Sequence, residues 1–368
     1  MPDWSKSMQQ TYEFYIIDPT NWKDKIRLDT ITSCTITRDF TTETLSSASF
    51  DCDEDLTEKY GECYIREYLV TIQNWVRERY CLGTFIVQTP SVKFDGMHKS
   101  VGMDAYSPLL ELKDNKPPIG YSALKNTNTM RLASQLVYEN CRAPVSRVQN
   151  DDNLLKSDFV ANPDDSWLSY ISDLMANAKY RFGLTDKSEI VFERITDIKA
   201  LPPMYTFNDD NSSLLLPSID DKRDLYGIPN ALEMTYTTQG TDGTDEVMSI
   251  RVENNDENSE ISTVKRGRIV LERVTDPTLT GSYTKEQFKR YAMLYLENLS
   301  TLEHTVSFSH GYVPVTIGDC VRLNYRRAGI VDRRARIVRQ TIRCVTGCTV
   351  DTEATYTTEL WKAKEHVG

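Results

Sequence analysis

Short runs of alternating polar and apolar residues dominate Tyr12 to Tyr106: YEFYII, ITSCTIT, SASFDC, CYIREYLVTI, YCLGTFIVQT and VKFDGMHKSVGM. They are rich in Thr, Tyr, Val and Ile and are separated by polar turns, the pattern of antiparallel strands. Six or seven strands in this length predict a sandwich or barrel. From Tyr64 to Ile72, alternation puts Tyr64, Arg66, Tyr68, Val70 and Ile72 on one face and Ile65, Glu67, Leu69 and Thr71 on the other. Both faces carry apolar surface. Asp95-Gly96 is a hairpin signal, because glycine tolerates the positive φ of a tight twisted turn.

After Leu112 the period changes. Lys116-Pro117-Pro118 breaks the β pattern, and Met130, Ala133, Leu136, Val137 and Cys141 then recur at helical spacing, with Thr127 to Thr129 available as a cap. A second apolar stripe, Trp167, Leu168, Ile171, Leu174, Met175 and Ala178, follows Pro163-Asp164-Asp165 and predicts a helix ending before Gly183. EIVFERI then reads as a strand. An acidic, Asn- and Ser-rich stretch from Phe207 to Gly227 leads into further strands at Leu232 to Thr237 and MSIRVE, with Asp242-Gly243 as another hairpin signal. Glu253 to Glu260 reads as an exposed loop. Thr284 and Gln287 form a capping box ahead of one helical face: Phe288, Tyr291, Ala292, Tyr295 and Leu299. Strands return in HTVSFSH, CVRLNYR, RARIVRQTIRCV and CTVDTEATYTTELW.

The expected organisation is α+β and mainly β: a first β-rich module at 1–112, an α/β middle domain at 113–206, a second β-rich module at 207–258 and 301–368, and a helical insert at 259–300. A length of 368 residues allows two or three compact units of that kind. No apolar run approaches the roughly 18 residues that span a bilayer, so membrane insertion is not expected. Met1 to Gln10 lacks the apolar stretch of a secretory signal, which points to assembly in a cytoplasm.

Candidate chemistry changes this picture little. The four histidines, His98, His304, His310 and His366, fall in no H-E-x-x-H motif and beside no evident nucleophile, and no glycine-rich phosphate loop occurs. His304 and His310 flank one strand, but two residues alone make no metal site. Eight dispersed cysteines read as reduced, buried thiols. Cys344 and Cys348 form a C-x3-C pair without a second pair or nearby histidine to complete a tetrahedron, so no metal and no cofactor is expected. Asp164 and Asp165 are expected to open a helix, where negative charge is favourable, rather than to catalyse. No catalytic residue emerges, and an enzyme is not expected.

Charge is more informative. The net charge of -11 argues against a nucleic-acid binder, whose affinity comes largely from cations on phosphate. Acids concentrate in Asp209 to Asp224 and Asp242 to Glu260, whereas eight arginines lie between Arg322 and Arg343. Partial alternation sets Arg334 and Arg336 against Ile337, and Arg339 against Ile342, as in strands with one wet face. Arg322, Arg326, Arg327, Arg334, Arg336 and Arg339 are therefore candidates for a subunit interface, since the guanidinium fork suits paired carboxylates. A plain solvated face and a nucleic-acid patch are the competing readings.

Several stretches together resemble the hub proteins of contractile and long non-contractile phage tails, including tail proteins of defective Bacillus prophages. The first is Leu82-Gly83-Thr84-Phe85-Ile86-Val87, then Asp95-Gly96, then Val101 to Asp104 with Leu109 and Leu110. The second is the helix after the Pro-Asp-Asp-Ser-Trp start. The third is Gly318 to Tyr325, Gly329-Ile330 and Arg336 to Ile342. The resemblance covers roughly Tyr12 to Trp361. It implies two tail-tube-like barrels per chain and a homotrimeric ring that adapts a sixfold tube to a threefold tip in the virion tail. It also implies contacts with tail tube, distal tail, tape-measure and tip or spike proteins, and non-specific passage of DNA. A tail-tip cell-wall hydrolase and a host-recognition β protein are the alternatives.

Overall fold

The computed structural model describes all residues except 1, 98, 149–150, 211, 240–244, 276–282 and 364–368, and gives no side-chain detail at 238–239 and 245–246. Asp242-Gly243, His98 and His366 therefore lie outside the described residues. Strands take 47% of the chain and helices 17%, so the mainly β expectation holds. The chain divides into two compact units: residues 1–219 with 307–354, and residues 220–306 with 355–368.

The first unit begins with seven strands: β1 (Gln9–Asp18), β2 (Lys23–Leu28), β3 (Ile31–Asp39), β4 (Ser46–Cys52), β5 (Tyr64–Gln73), β6 (Val76–Phe94) and β7 (Lys99–Tyr106). One helical turn, α1 (Leu56–Tyr60), interrupts them and is capped by Asp55. Antiparallel pairing gives the spatial order β3-β4-β7-β6-β5-β1-β2. Every residue of β5 from Tyr64 to Thr71 is buried. The alternation explains how both faces are used: Ile65 and Leu69 enter the core of the N-terminal sheet, whereas Tyr64 joins a second core built on helices. Asp95-Gly96 forms the β6–β7 turn, with Gly96 at φ +94. The β5–β6 turn is tighter still. Asn74 and Trp75 both have positive φ, the two-residue geometry that matches strand twist.

The second core of this unit contains α2 (Leu109–Asp114), β8 (Ser122–Ala123), α3 (Thr129–Asn140), β9 (Phe159–Val160), α4 (Trp167–Ala176), β10 (Tyr180–Leu184) and β11 (Ile190–Arg194). Asn128 caps α3 by accepting from the Arg131 amide at 2.9 Å. The cap of α4 is Ser166, in a reciprocal box with Ser169, and not the Asp164-Asp165 pair. Asp165 instead accepts from the Asn162 amide, a local turn that competes with helix capping. Gly183 lies well past the end of α4, inside β10, where an added Cβ would meet the Glu193 side chain.

The chain continues through β12 (Tyr205–Asn208) and β13 (Leu215–Arg223) into the second unit. There β14 (Ala231–Gln239) pairs antiparallel with β15 (Asp245–Glu253) and parallel with β16 (Leu271–Thr275). The short α5 (Thr263–Arg266) precedes β16, and α6 (Lys285–Leu299) carries the expected Thr284–Gln287 capping box. Its buried line is Phe288, Ala292 and Leu296, with Tyr291 and Tyr295 half-buried. The stripe thus runs strictly i, i+4 and takes in Leu296, which was not expected.

The last elements are β17 (Thr301–Gly311), β18 (Cys320–Tyr325), β19 (Ile330–Arg343) and β20 (Thr349–Glu359). In the first unit β19 pairs with β3 over Arg339–Arg343 and with β18 over Ile330–Arg336, and β12 adds parallel to β18. No closed barrel is present among the described residues. Closure requires the two edges of a sheet to pair, and β2 pairs only with β1.

His310 is buried in the first unit, against the Phe207 ring at 4.6 Å. Its Nδ1 lies 2.6 Å from the Gly311 carbonyl, to which it donates, and its Nε2 accepts from Thr352 at 2.8 Å. Burial pushes its pKa down from 6.5 to about 4. The unfolded chain therefore takes up a proton below pH 6.5 that the folded chain refuses until about pH 4. Stability is expected to fall by about 3 kcal/mol as pH drops through that window. Urea melts between pH 7 and 4 should show a flatter profile for His310→Gln, and an unchanged profile would refute the assignment.

Candidate subunit interface

The six arginine candidates sit on or near one strand pair. Register sets Cys320 opposite Arg336 and Arg322 opposite Arg334, so the three arginines share one face of the β18–β19 ladder, beside the buried Cys320. Val321, Leu323, Ala335 and Ile337 fill the inner face and are buried. The wet face expected from alternation is therefore present. It changes side near Val338, where β19 leaves β18 for β3: Ala335 and Ile337 are buried before the change, and Gln340 and Ile342 after it.

Each arginine has a different environment. Arg322 Nη1 lies 3.2 Å from Asp332, while its Nε is buried without a partner. Arg334 Nη1 donates to the Lys199 carbonyl at 2.9 Å, and Arg336 donates to the Thr196 carbonyl. Both therefore fasten the segment around Ile198–Ala200 to the ladder. Burial, with Arg181 nearby, pushes the Arg336 pKa down. Arg326 and Arg327 are exposed in the turn between the strands. Arg339 lies beyond the change of side, 3.7 Å from Asp39. Arg322, Arg334 and Arg336 thus form one cluster, and the other three stand apart from it.

Sequence reasoning missed a larger charged network on β1, β2, β5 and β6. Arg66 is almost fully buried. Its Nε donates to Thr84 Oγ1 at 2.9 Å, and its Nη1 to the Trp22 carbonyl and Asp24, each at 3.0 Å. Glu13 accepts from Arg77 at 2.6 Å and pairs with Arg79 at 3.2 Å. Arg79 also covers the Tyr68 ring at 3.9 Å. Only the cross-strand register brings these residues together, and no local spacing signals it.

Also missed were the exposed hairpin tips. Trp75 at the β5–β6 turn is 99% exposed, and Phe94 and Met97 at the β6–β7 turn are 70% and 85% exposed. Of the histidines expected to lack a metal role, His304 bridges Asp221 and Thr358 at 3.0 Å each and stacks on Tyr356. Its hydrogen-bonding capacity is thereby used.

No protein-family model matches the chain, and no curated protein matches it in sequence. Solved structures do resemble it in fold. The tail protein of Neisseria meningitidis MC58 superposes with a TM-score of 0.59 at 14% identity, over 94% of this chain and 97% of that one. The 43 kDa tail protein of prophage MuSo2 from Shewanella oneidensis gives 0.56 at 11%, over 93% and 97%. This chain has the fold of phage tail proteins. A Francisella PdpA–VgrG complex, in its lidded form, is also similar, with a TM-score of 0.51 at 9% identity, over 98% of this chain and 54% of that chain. No helix among the described residues is long and apolar enough to cross a membrane.

Proposed function

We propose that this protein is a structural, non-enzymatic hub of a phage or phage-like tail, acting as a homotrimeric ring between the tail tube and the tip. The observation that carries this reading is the end-to-end likeness to tail proteins, which spans nearly the whole of both chains. Its partners in this role are tail tube, distal tail, tape-measure and tip or spike proteins, and its place is the virion tail. Arg322, Arg334 and Arg336 are assigned to the subunit contact. Planar guanidiniums on a flat strand face suit carboxylates of a neighbouring copy, and a closed cyclic ring hides such a patch on every subunit.

Three chains of 42.2 kDa carry a combined charge of -33, from three times -11. An acidic channel wall would repel DNA phosphates and let the polymer slide, whereas a cationic wall would hold it. The expected result of cryo-electron microscopy on the assembled tip is three copies at this level around a channel of net negative charge. Six copies or one copy would overturn the hub reading, and a lumen lined mainly by Arg and Lys would overturn the sliding argument. A zymogram on bacterial cell walls separates this reading from a tail-tip hydrolase, because the hub is expected to clear none.

A further inference from the structure

The N-terminal sheet holds a cluster of polar atoms that the hub role does not use. Cys34 on β3, Glu67 on β5 and Cys344, the residue after β19, are each buried, and their ligand atoms lie within 4.8 Å of one another. Cross-strand pairing fixes two of them: the Cys344 amide donates to the Cys34 carbonyl at 3.0 Å. Cys34 Sγ stands 2.8 Å from Glu67 Oε2. Glu67 Oε1 is buried and has no hydrogen-bond partner. An ionised carboxylate placed so would cost several kcal/mol unless a cation compensated it.

We propose that Cys34, Glu67 and Cys344 bind a zinc ion, with Cys348 completing the tetrahedron. Borderline-soft zinc takes thiolate and carboxylate together, in four-coordinate structural sites sealed from water. Cys348 is fully buried in the same core but stands outside the 4.8 Å group, so it reaches the ion by a change of side-chain torsion. Its backbone sits at φ +38, an uncommon conformation for a residue other than glycine, and that turn folds the C-x3-C segment back on itself. Arg38 is buried nearby and favours the Glu67 carboxylate. The divalent ion and Arg38 together offset the charges of the carboxylate and two thiolates, and Cys348 can ligate as a third thiolate or a neutral thiol.

Cysteine and glutamate ligate as anions, so zinc binding displaces protons and affinity should rise with pH. This site departs from the expectation of no metal, because C-x3-C supplies only half of it. The other half comes from residues 34 and 67, far away in sequence.

The test is metal content of the full chain, expressed with zinc, dialysed, and denatured before colorimetric assay, alongside cobalt substitution. About one zinc per chain is expected, with a thiolate-to-cobalt charge-transfer band in the substituted protein. Glu67→Gln, nearly isosteric and uncharged, and Cys344→Ser should each weaken metal affinity by about tenfold or more. Cys320→Ser, a buried thiol elsewhere, should leave it unchanged. Circular dichroism separates loss of metal from loss of fold. Wild-type protein that takes up neither zinc nor cobalt would overturn the proposal. So would equal metal content in Glu67→Gln and Cys344→Ser, or a Cys34–Cys344 disulfide in freshly purified protein.

Discussion

Replacing Arg66 with alanine is expected to lower the unfolding free energy by about 3–5 kcal/mol, the usual cost of removing one partner from a buried charge pair. Its guanidinium satisfies the Trp22 carbonyl, Thr84 Oγ1 and Asp24 together. It also fills space beside the Trp22 ring, 5.8 Å from the centroid. Alanine would empty that space and leave a buried carbonyl without a donor. Asp24 would retain the Tyr68 hydroxyl at 3.0 Å and Arg79 at 3.6 Å, which keeps the loss from being larger. Arg66→Lys separates charge from geometry. An ammonium is one point charge and cannot reach three acceptors in different directions, so a loss of about 2 kcal/mol is expected even with charge conserved. Urea denaturation of the three proteins decides the matter. An alanine variant within about 1 kcal/mol of wild type would mean that the network does not hold β1, β2, β5 and β6 together.

The second large effect lies in the other unit. Phe288→Ala is expected to destabilise it by about 3–5 kcal/mol, from lost burial and the cavity left behind. Phe288 is fully buried, packs its ring tilted against that of Tyr236 with the centroids 6.1 Å apart, and leads the line that includes Ala292 and Leu296. This core is small, with Leu232, Met234, Val252 and Trp361 among its few large side chains, so one aromatic ring is a large share of it. Hydrogen exchange on the amides of β14 and β15 should accelerate while that of β3 to β7 stays slow. Equal acceleration in both sets would show one cooperative unfolding unit instead. Tyr295→Asp should do less harm, since Tyr295 is only half-buried.

Features governed by neighbours in sequence were the legible ones. The strand runs of the N-terminal sheet, the Asp95-Gly96 turn and the Thr284–Gln287 box all depend on residues within a few positions of each other. The α4 cap shows the limit: Asp164, Asp165 and Ser166 are all competent, and only the backbone conformation selects Ser166. The buried sites were invisible for a different reason. Thr35 lies opposite Arg343, and Glu67 reaches Cys34 from a strand four places away in the sheet order, so the cluster depends on the registers of both β3 and β5. A one-residue slip in either would turn a side chain to the opposite face. The arginine face was legible in β18 and β19 because period two is local, whereas the carbonyls that Arg334 and Arg336 grip come from residues more than a hundred positions away.

The β5–β6 turn also gives the molecule an optical handle. Of its five tryptophans, Trp22, Trp167 and Trp361 are buried, Trp4 is partly covered, and Trp75 stands in water. A soluble quencher such as acrylamide will therefore darken Trp75 first, leaving a blue-shifted remainder from the interior rings. If that hairpin tip becomes covered during tail assembly, the red-shifted, quenchable fraction of the emission disappears, and the time course of docking is read from the protein's own fluorescence.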